Sequence, residues 1–325
     1  MKTTPVSTAS RRAFLQAVGL AALTPHSVFA AEPEPEILDT HQHLWDTRKQ
    51  QLPWLAGAPE ILRRNYLPAD YAAATEGLPV RALYMEVDVA EAHLDEEAES
   101  LRRLCASKSS QTFAAVLGGR PSSERFEEYL KRHSEGGFLK GLRRVLHTPE
   151  TPRGLCLEKD FVSGIRALGK QGLTFDLCLR PGELNDAAAL AAECPDTTLV
   201  LDHCGNADTK AFLKAPRSEP AHRAEDWQRA IDRLALKRNV QCKISGVIES
   251  MPGGWTSEQL SPVVNHCLDA FGPDRVVFGS NWPVCLLGGS LRSWVKALGE
   301  IVASRPAAER AKLWAQNARR IDRLD

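Results

Sequence analysis

The sequence predicts an α/β protein built as a (β/α)8 barrel, on three observations. Eight apolar, strand-like runs alternate with helical patterns from residue 35 onward. Long irregular segments follow several of the strands, whereas the links from helices back into strands are short. The 325 residues contain neither an internal repeat nor an interdomain linker, a size that suits one such barrel preceded by a leader. A doubly wound sheet usually has fewer strands.

Taken in order, the predicted strands are ILDTHQH (37–43), RALYMEVDV (81–89), TFAAVLG (112–118) and FLKGLRRVLH (138–147), then LTFDLCL (173–179), TTLVLDH (197–203), VQCKISGV (240–247) and RVVFGSN (275–281). Each is a short, largely apolar run of the kind a sheet covered on both faces needs. The helices between them are typified by EDWQRAIDRLALK, where Trp227, Ala230, Ile231, Leu234 and Ala235 fall on one face at helical spacing. A last helix around Leu313, Trp314, Ala318 and Ile321 adds packing at the end of the chain. The long segments are 44–80, 148–157, 204–223 and 248–256, all after strands, where barrel enzymes build their sites.

Residues 1–31 read as a twin-arginine signal peptide, and 32–325 as the barrel domain. Ser10-Arg11-Arg12-Ala13-Phe14-Leu15 precedes a short apolar run, and Val28-Phe29-Ala30-Ala31 offers the small residues a signal peptidase needs. The run stops at Thr24-Pro25, short of the ~20 residues that span a bilayer, so no stable membrane insertion is expected. The twin-arginine export machinery is then a partner, and the periplasm the destination. Lys+Arg and Asp+Glu balance at 41 each, which argues against nucleic acid or an anionic membrane and for a small-molecule substrate. Of the eight cysteines, Cys178, Cys204, Cys242 and Cys285 lie in or beside strand runs, and no CxxC occurs. Reduced, buried thiols are the preferred reading, with one or two disulfides elsewhere as the alternative.

Strand positions two apart share a face, so His41 and His43 project together at the end of the first strand. Two neutral imidazoles there suit a divalent metal such as Zn²⁺, or a hydrogen-bonding cradle for a carbonyl. His203 ends strand six, where Cys204-Gly205 lets the chain turn away. Glu86 and Asp88 share a face at the end of strand two, as ligands, bases or ion-pair partners of Arg143 or Arg144. Arg143 and His147 share a face of strand four, where an arginine could hold a carboxylate or polarise a carbonyl. Lys243 could act likewise, or contact the outer helices. Trp45 and Trp282, beside the first and last strand ends, are expected to touch substrate, and Asn281 sits at the rim with Trp282.

The motifs DTHQHLWD, LPWL, MEVDV, GLRRVLH, VLDHCGNAD, CKISGV and FGSNWPVC, in this order and spacing, resemble the amidohydrolase-related lactonases over about residues 35–320. That group includes hydrolases of fuconolactone or rhamnonolactone and the pyrone-dicarboxylate lactonases. The resemblance implies a metallo-dependent-hydrolase barrel that opens a cyclic ester. His41 and His43 would polarise the carbonyl or hold a metal with His203, and Arg143 would bind the substrate's polar arm. The family has zinc-binding and metal-free members. With three histidines, Zn²⁺ would keep one position open for water; without metal, a separate base is required.

One departure stands out. The family usually places an aspartate at the end of the last strand to activate water, and this chain has Asn281, an amide that takes no proton at useful pH. The reading adopted is therefore an exported lactone hydrolase, with the strand-two carboxylates taking over part of the base role. The alternatives are a metal-dependent decarboxylase of the same superfamily, or a non-catalytic sugar-acid binding protein. The leader yields its own test. Replacing Arg11 and Arg12 together by Lys should leave the precursor in the cytoplasm on cell fractionation, and efficient export of that variant would refute the signal.

Overall fold

The computed structural model describes residues 1–3 and 36–324. The chain divides into an N-terminal unit, Met1–Glu34, and a second unit, Pro35–Asp325. The twin-arginine segment and its cleavage site lie outside the described residues.

The second unit is a barrel of eight parallel strands in the order of the chain: β1 Ile37–Gln42, β2 Val80–Met85, β3 Thr112–Gly118, β4 Leu139–Val145, β5 Thr174–Cys178, β6 Leu199–Leu201, β7 Val240–Ile244 and β8 Val276–Phe278. Every predicted run overlaps one observed strand. Helices follow the strands, and their apolar stripes face inward: in Ala224–Ala235 the buried residues are Trp227, Ala230, Ile231, Leu234 and Ala235. The terminal segment buries Ala315, Ala318 and Ile321 with Leu38 of β1, Val200 of β6 and Val277 of β8, a small cluster apart from the main core. The segment after β1 is less irregular than its sequence suggests, since it holds two 3₁₀ turns and the helix Pro68–Ala74. No helix among the described residues is long and apolar enough to cross a membrane.

The seam between β8 and β1 is closed by a parallel bridge, Gln42 to Trp282, and by His43 N–H donating to the Trp282 carbonyl at 2.7 Å. Asp39 clamps the same seam. Its carboxylate accepts from the Ser280 N–H (2.8 Å), the Ser280 hydroxyl (2.5 Å), the Tyr71 hydroxyl (2.8 Å) and the His41 N–H (3.1 Å). A fully buried carboxylate is stable only with such a complement of donors.

Most strands stop before their sequence runs do, and left-handed residues follow several of them. Asp88, His203 and Asn281 take left-handed backbone conformations, with φ of 49°, 54° and 55°. An L-residue pays roughly 1–2 kcal/mol for that geometry, so each marks a point where the chain is forced out of the strand. Gly246 does the same after β7 at φ 68°, and a Cβ there would lie 2.4 Å from that of His203. Only glycine fits. All eight cysteines are free thiols, seven of them buried, and the sulfurs of Cys204, Cys242 and Cys267 lie within 4.8 Å of one another. Because Asp39 satisfies four donors at the seam, Asp39→Ala should cost about 3 kcal/mol and lower the melting temperature by roughly 5–10 °C; an unchanged calorimetric transition would contradict this role.

Candidate active site

The strand ends surround a cavity of about 350 Å³, within the range of small-molecule sites. Its lining includes His43, Asp88, Arg143, His147, His203, Asn281 and Glu249, with Trp45, Trp54, Leu62, Val87, Val145 and Val284 as apolar wall. His41 is fully buried beside them: its ring lies 4.8 Å from that of His43 and 4.4 Å from that of His203.

The imidazoles are neutral by construction. Burial pushes His43 down to about 3, helped by the Arg143 charge. His203 is also pushed to about 3, burial outweighing the attraction of Asp202. His41 is driven well below its usual range, again by burial against Asp202. His43 and His203 each have Nδ1 tied. His43 Nδ1 is 3.0 Å from the Met85 carbonyl and 3.1 Å from that of Glu86, so it carries the proton and leaves Nε2 bare. His43 is thus an acceptor or a ligand, not a donor to a carbonyl. His203 Nδ1 meets the Ser245 hydroxyl at 2.9 Å.

Arg143 is held from three strands. Its Nε donates to Glu86 Oε1 at 2.5 Å and Nη2 to the Glu86 carbonyl at 2.8 Å, while Nη1 makes two long contacts of 3.3 Å, to His41 Nε2 and Asp202 Oδ2. Nη1 is the nitrogen with most to offer an incoming oxygen.

Several sequence expectations need correction. Glu86 is not a base: it is buried, paired with Arg143, and its Oε2 accepts the Asp88 N–H at 2.6 Å. Lys243 does not line the cavity. It is buried, 2.5 Å from Asp176 Oδ2 and 3.1 Å from Asp202 Oδ1, and serves as a counter-ion. Trp282 is a wall residue packed edge-on against Tyr66 and Tyr71, with no face on the cavity. Trp45 does border the cavity, and His147 stands exposed at its mouth, 3.2 Å from Cys178 Sγ. Asp88 borders it too, its carboxyl pushed up to about 6 by burial and the charge of Glu86.

Two residues escaped the sequence reading. The first is Asp202, one position before His203 and easily taken for part of strand six. One donor atom each from His41, Asp202 and His203 lies within 4.8 Å of the others, and His43 is not in this trio. His41 Nδ1 is buried without a hydrogen-bond partner and stands 3.3 Å from Asp202 Oδ1, an oxygen that Lys243 meets as an ion pair at 3.1 Å. Two ligands of a tetrahedral ion with bonds near 2.1 Å stand about 3.4 Å apart, so the donor set fits a small divalent metal. Lys243, on the same Asp202 oxygen, weakens such an ion's hold. The second is Glu249, half-buried in the segment after β7. Asn281 Nδ2 donates to its Oε1 at 2.8 Å, whereas Oε2 is shut from solvent without a partner. Burial pushes this carboxyl up to about 7 against the Asn281 bond. Only the length of segment 248–256 hinted that a site residue lay there.

Comparison with known proteins shows the family. A family model described as amidohydrolase matches residues 38–324. The L-fucono-1,5-lactonase of Burkholderia multivorans is 32% identical over 294 residues, covering 87% of this chain and 94% of that protein. The L-rhamnono-gamma-lactonase of Scheffersomyces stipitis is 25% identical over 55% of this chain and 56% of its own. Among solved structures, a zinc-bound amidohydrolase from Burkholderia multivorans superposes with a TM-score of 0.78 at 27% identity, covering 89% of this chain and all of that one.

The ligand trio makes a prediction about metal. Asp202→Asn and His203→Ala should each strip bound divalent ion from the purified protein, measured by elemental analysis, and His43→Ala should retain more of it than either. Full metal content in Asp202→Asn would remove that residue from the ligand set.

Proposed function

This chain belongs to the amidohydrolase family, and we propose that it is a hydrolase opening a cyclic ester, a sugar-acid lactone of the fuconolactone or rhamnonolactone type. The observation that carries the reading is the cavity itself: room for one small ring, a guanidinium and bare imidazole nitrogen on its lining, and carboxyls poised near neutrality. Lactonase names among relatives that span most of the chain support it.

The residues divide the labour by their chemistry. Trp45 and Trp54 offer an aromatic wall for the apolar face of a sugar ring, with Trp54 fixed by its Nε1 donating to the Val87 carbonyl at 2.7 Å. The bare Nε2 of His43 accepts a substrate hydroxyl. Arg143 presents Nη1 to the carbonyl oxygen, where negative charge grows as water attacks, and its anchorage on Glu86 means no reorganisation is needed at that moment. A zinc ion on His41, Asp202 and His203 would polarise the same carbonyl and lower the pKa of a bound water toward neutrality. His43 and His203, pushed to about 3, are too weak as bases to take the water's proton, and that task suits a carboxylate.

The twin-arginine pattern in residues 1–31 supports export of the folded chain, with the periplasm as the proposed site of the activity.

A panel of sugar-acid lactones in weak buffer should show acidification by the purified protein without release of carbon dioxide from aromatic acids. Trp54→Ala should raise KM about 5- to 10-fold with a smaller change in kcat, the loss of roughly 1 kcal/mol of stacking. Binding without turnover across the panel, with or without added zinc, would leave a sugar-acid binding protein instead.

A further inference from the structure

We infer that Glu249 is the general base of the hydrolytic reaction and that Asn281 is the residue that positions it. This rests on the lactone reading of the site. The chain keeps an amide at the end of β8 where the lactonase motif carries an acid, and the structure shows what the amide does instead. Asn281 leaves the strand with left-handed backbone, turns its side chain to the cavity and donates from Nδ2 to Glu249 Oε1 at 2.8 Å. Asparagine and aspartate have the same shape, so Nδ2 stands where a carboxylate oxygen of an aspartate would stand. The carboxylate of Glu249 is therefore the missing acid moved outward by one hydrogen bond.

Its second oxygen is the one without a bond. Glu249 Oε2 has no hydrogen-bond partner and almost no exposed surface, so turning it toward the cavity breaks no hydrogen bond. Both Glu249 and Asn281 line the cavity that holds Arg143 and His203. The left-handed turn at Gly246, pressed against His203, is what directs the segment carrying Glu249 to this wall.

The other carboxylates are worse placed. Glu86 has both oxygens committed, to Arg143 and to the Asp88 N–H. Asp88 answers to Arg120 and Arg144 as well as to Arg143, and to the charge of Glu86. The thiols facing Glu249 are Cys285 after β8 and Cys204 after β6, the latter adding a raising charge, with Arg143 and Asp88 the other charged members of the same cavity. Its carboxyl, raised to about 7 by burial, is half in its basic form at neutral pH yet strong enough as an acid to return the proton.

The step balances on these atoms. The Glu249 carboxylate takes a proton from water as the water oxygen bonds to the lactone carbonyl carbon. The tetrahedral species collapses with cleavage of the ring carbon–oxygen bond, and the protonated Glu249 gives its proton to the departing ring oxygen. The product is the open hydroxy acid, which ionises to solvent; the glutamate is regenerated.

The test uses the mature protein and a lactone that the wild type hydrolyses. A base must be deprotonated, so wild-type kcat/KM should rise with pH around a midpoint near 7 and level off above it. Glu249→Gln, which keeps the size and the contact with Asn281, should lower kcat by about 10²–10⁴-fold and abolish that rise. Asn281→Asp sets a second carboxylate beside the first and should shift the midpoint to higher pH, with activity lower at neutrality and regained in alkali. Glu249→Ala should be partly rescued by added formate or acetate, a response a merely structural residue does not give. Wild-type hydrolysis with undiminished turnover in Glu249→Gln, or with an unmoved pH midpoint in Asn281→Asp, overturns this assignment alone. Wild type that opens no lactone overturns the lactone reading and the assignment with it.

Discussion

The site depends on two buried cations that hold the strand ends together. Arg143 joins β4 to Glu86 after β2, to His41 of β1 and to Asp202 after β6, and Lys243 joins β7 to Asp176 of β5 and to Asp202. Removing either charge from water costs several kcal/mol, which only paired carboxylates at hydrogen-bonding distance offset. Asp202 serves both cations; burial alone would raise its carboxyl, but Lys243, His41 and His203 hold it well below the usual carboxylate range. Six strands thus meet through ions before any ligand arrives. The same dry, positively charged surroundings keep the imidazoles neutral, so the electrostatics that assemble the barrel also decide what its histidines can do.

That constraint explains which parts of the protein are legible in the sequence. The eight strands could be read because apolar runs and their spacing follow from burial on both faces. His41, His43, His203 and Arg143 could be read as neighbours because residues at the ends of parallel strands converge. Depth could not be read. The two-residue period assigns Lys243 to the inner face but does not say that it stops beneath the cavity, bonded to Asp176. It puts Glu86 and Asp88 on one side of strand two, whereas the chain turns left-handed at Asp88 and separates their fates, one to Arg143 and one to the cavity. Trp282 is similar: the bridge to Gln42 carries its ring into the wall.

Asp202 and Glu249 were hidden for a different reason. Each owes its importance to a partner distant in sequence, His41 for the one and Asn281 for the other. A departure from a motif looks like a loss when only the motif is in view. In three dimensions Asn281 reads as half of a pair whose other half arrives on the segment after β7, a route that the close fit of Gly246 to His203 leaves little freedom to change.

The sulfur content has a practical side. Eight thiols with no disulfide among them, all but Cys105 buried, make the chain its own probe of transient opening. A thiol reagent can reach Cys105 from outside, but it reaches Cys204, Cys242 and Cys267 only when β6, β7 and the helix Ser257–Phe271 come apart. The rates at which those sulfurs are modified would chart, without any introduced label, how often the half of the barrel beneath His203 loosens while the rest stays folded.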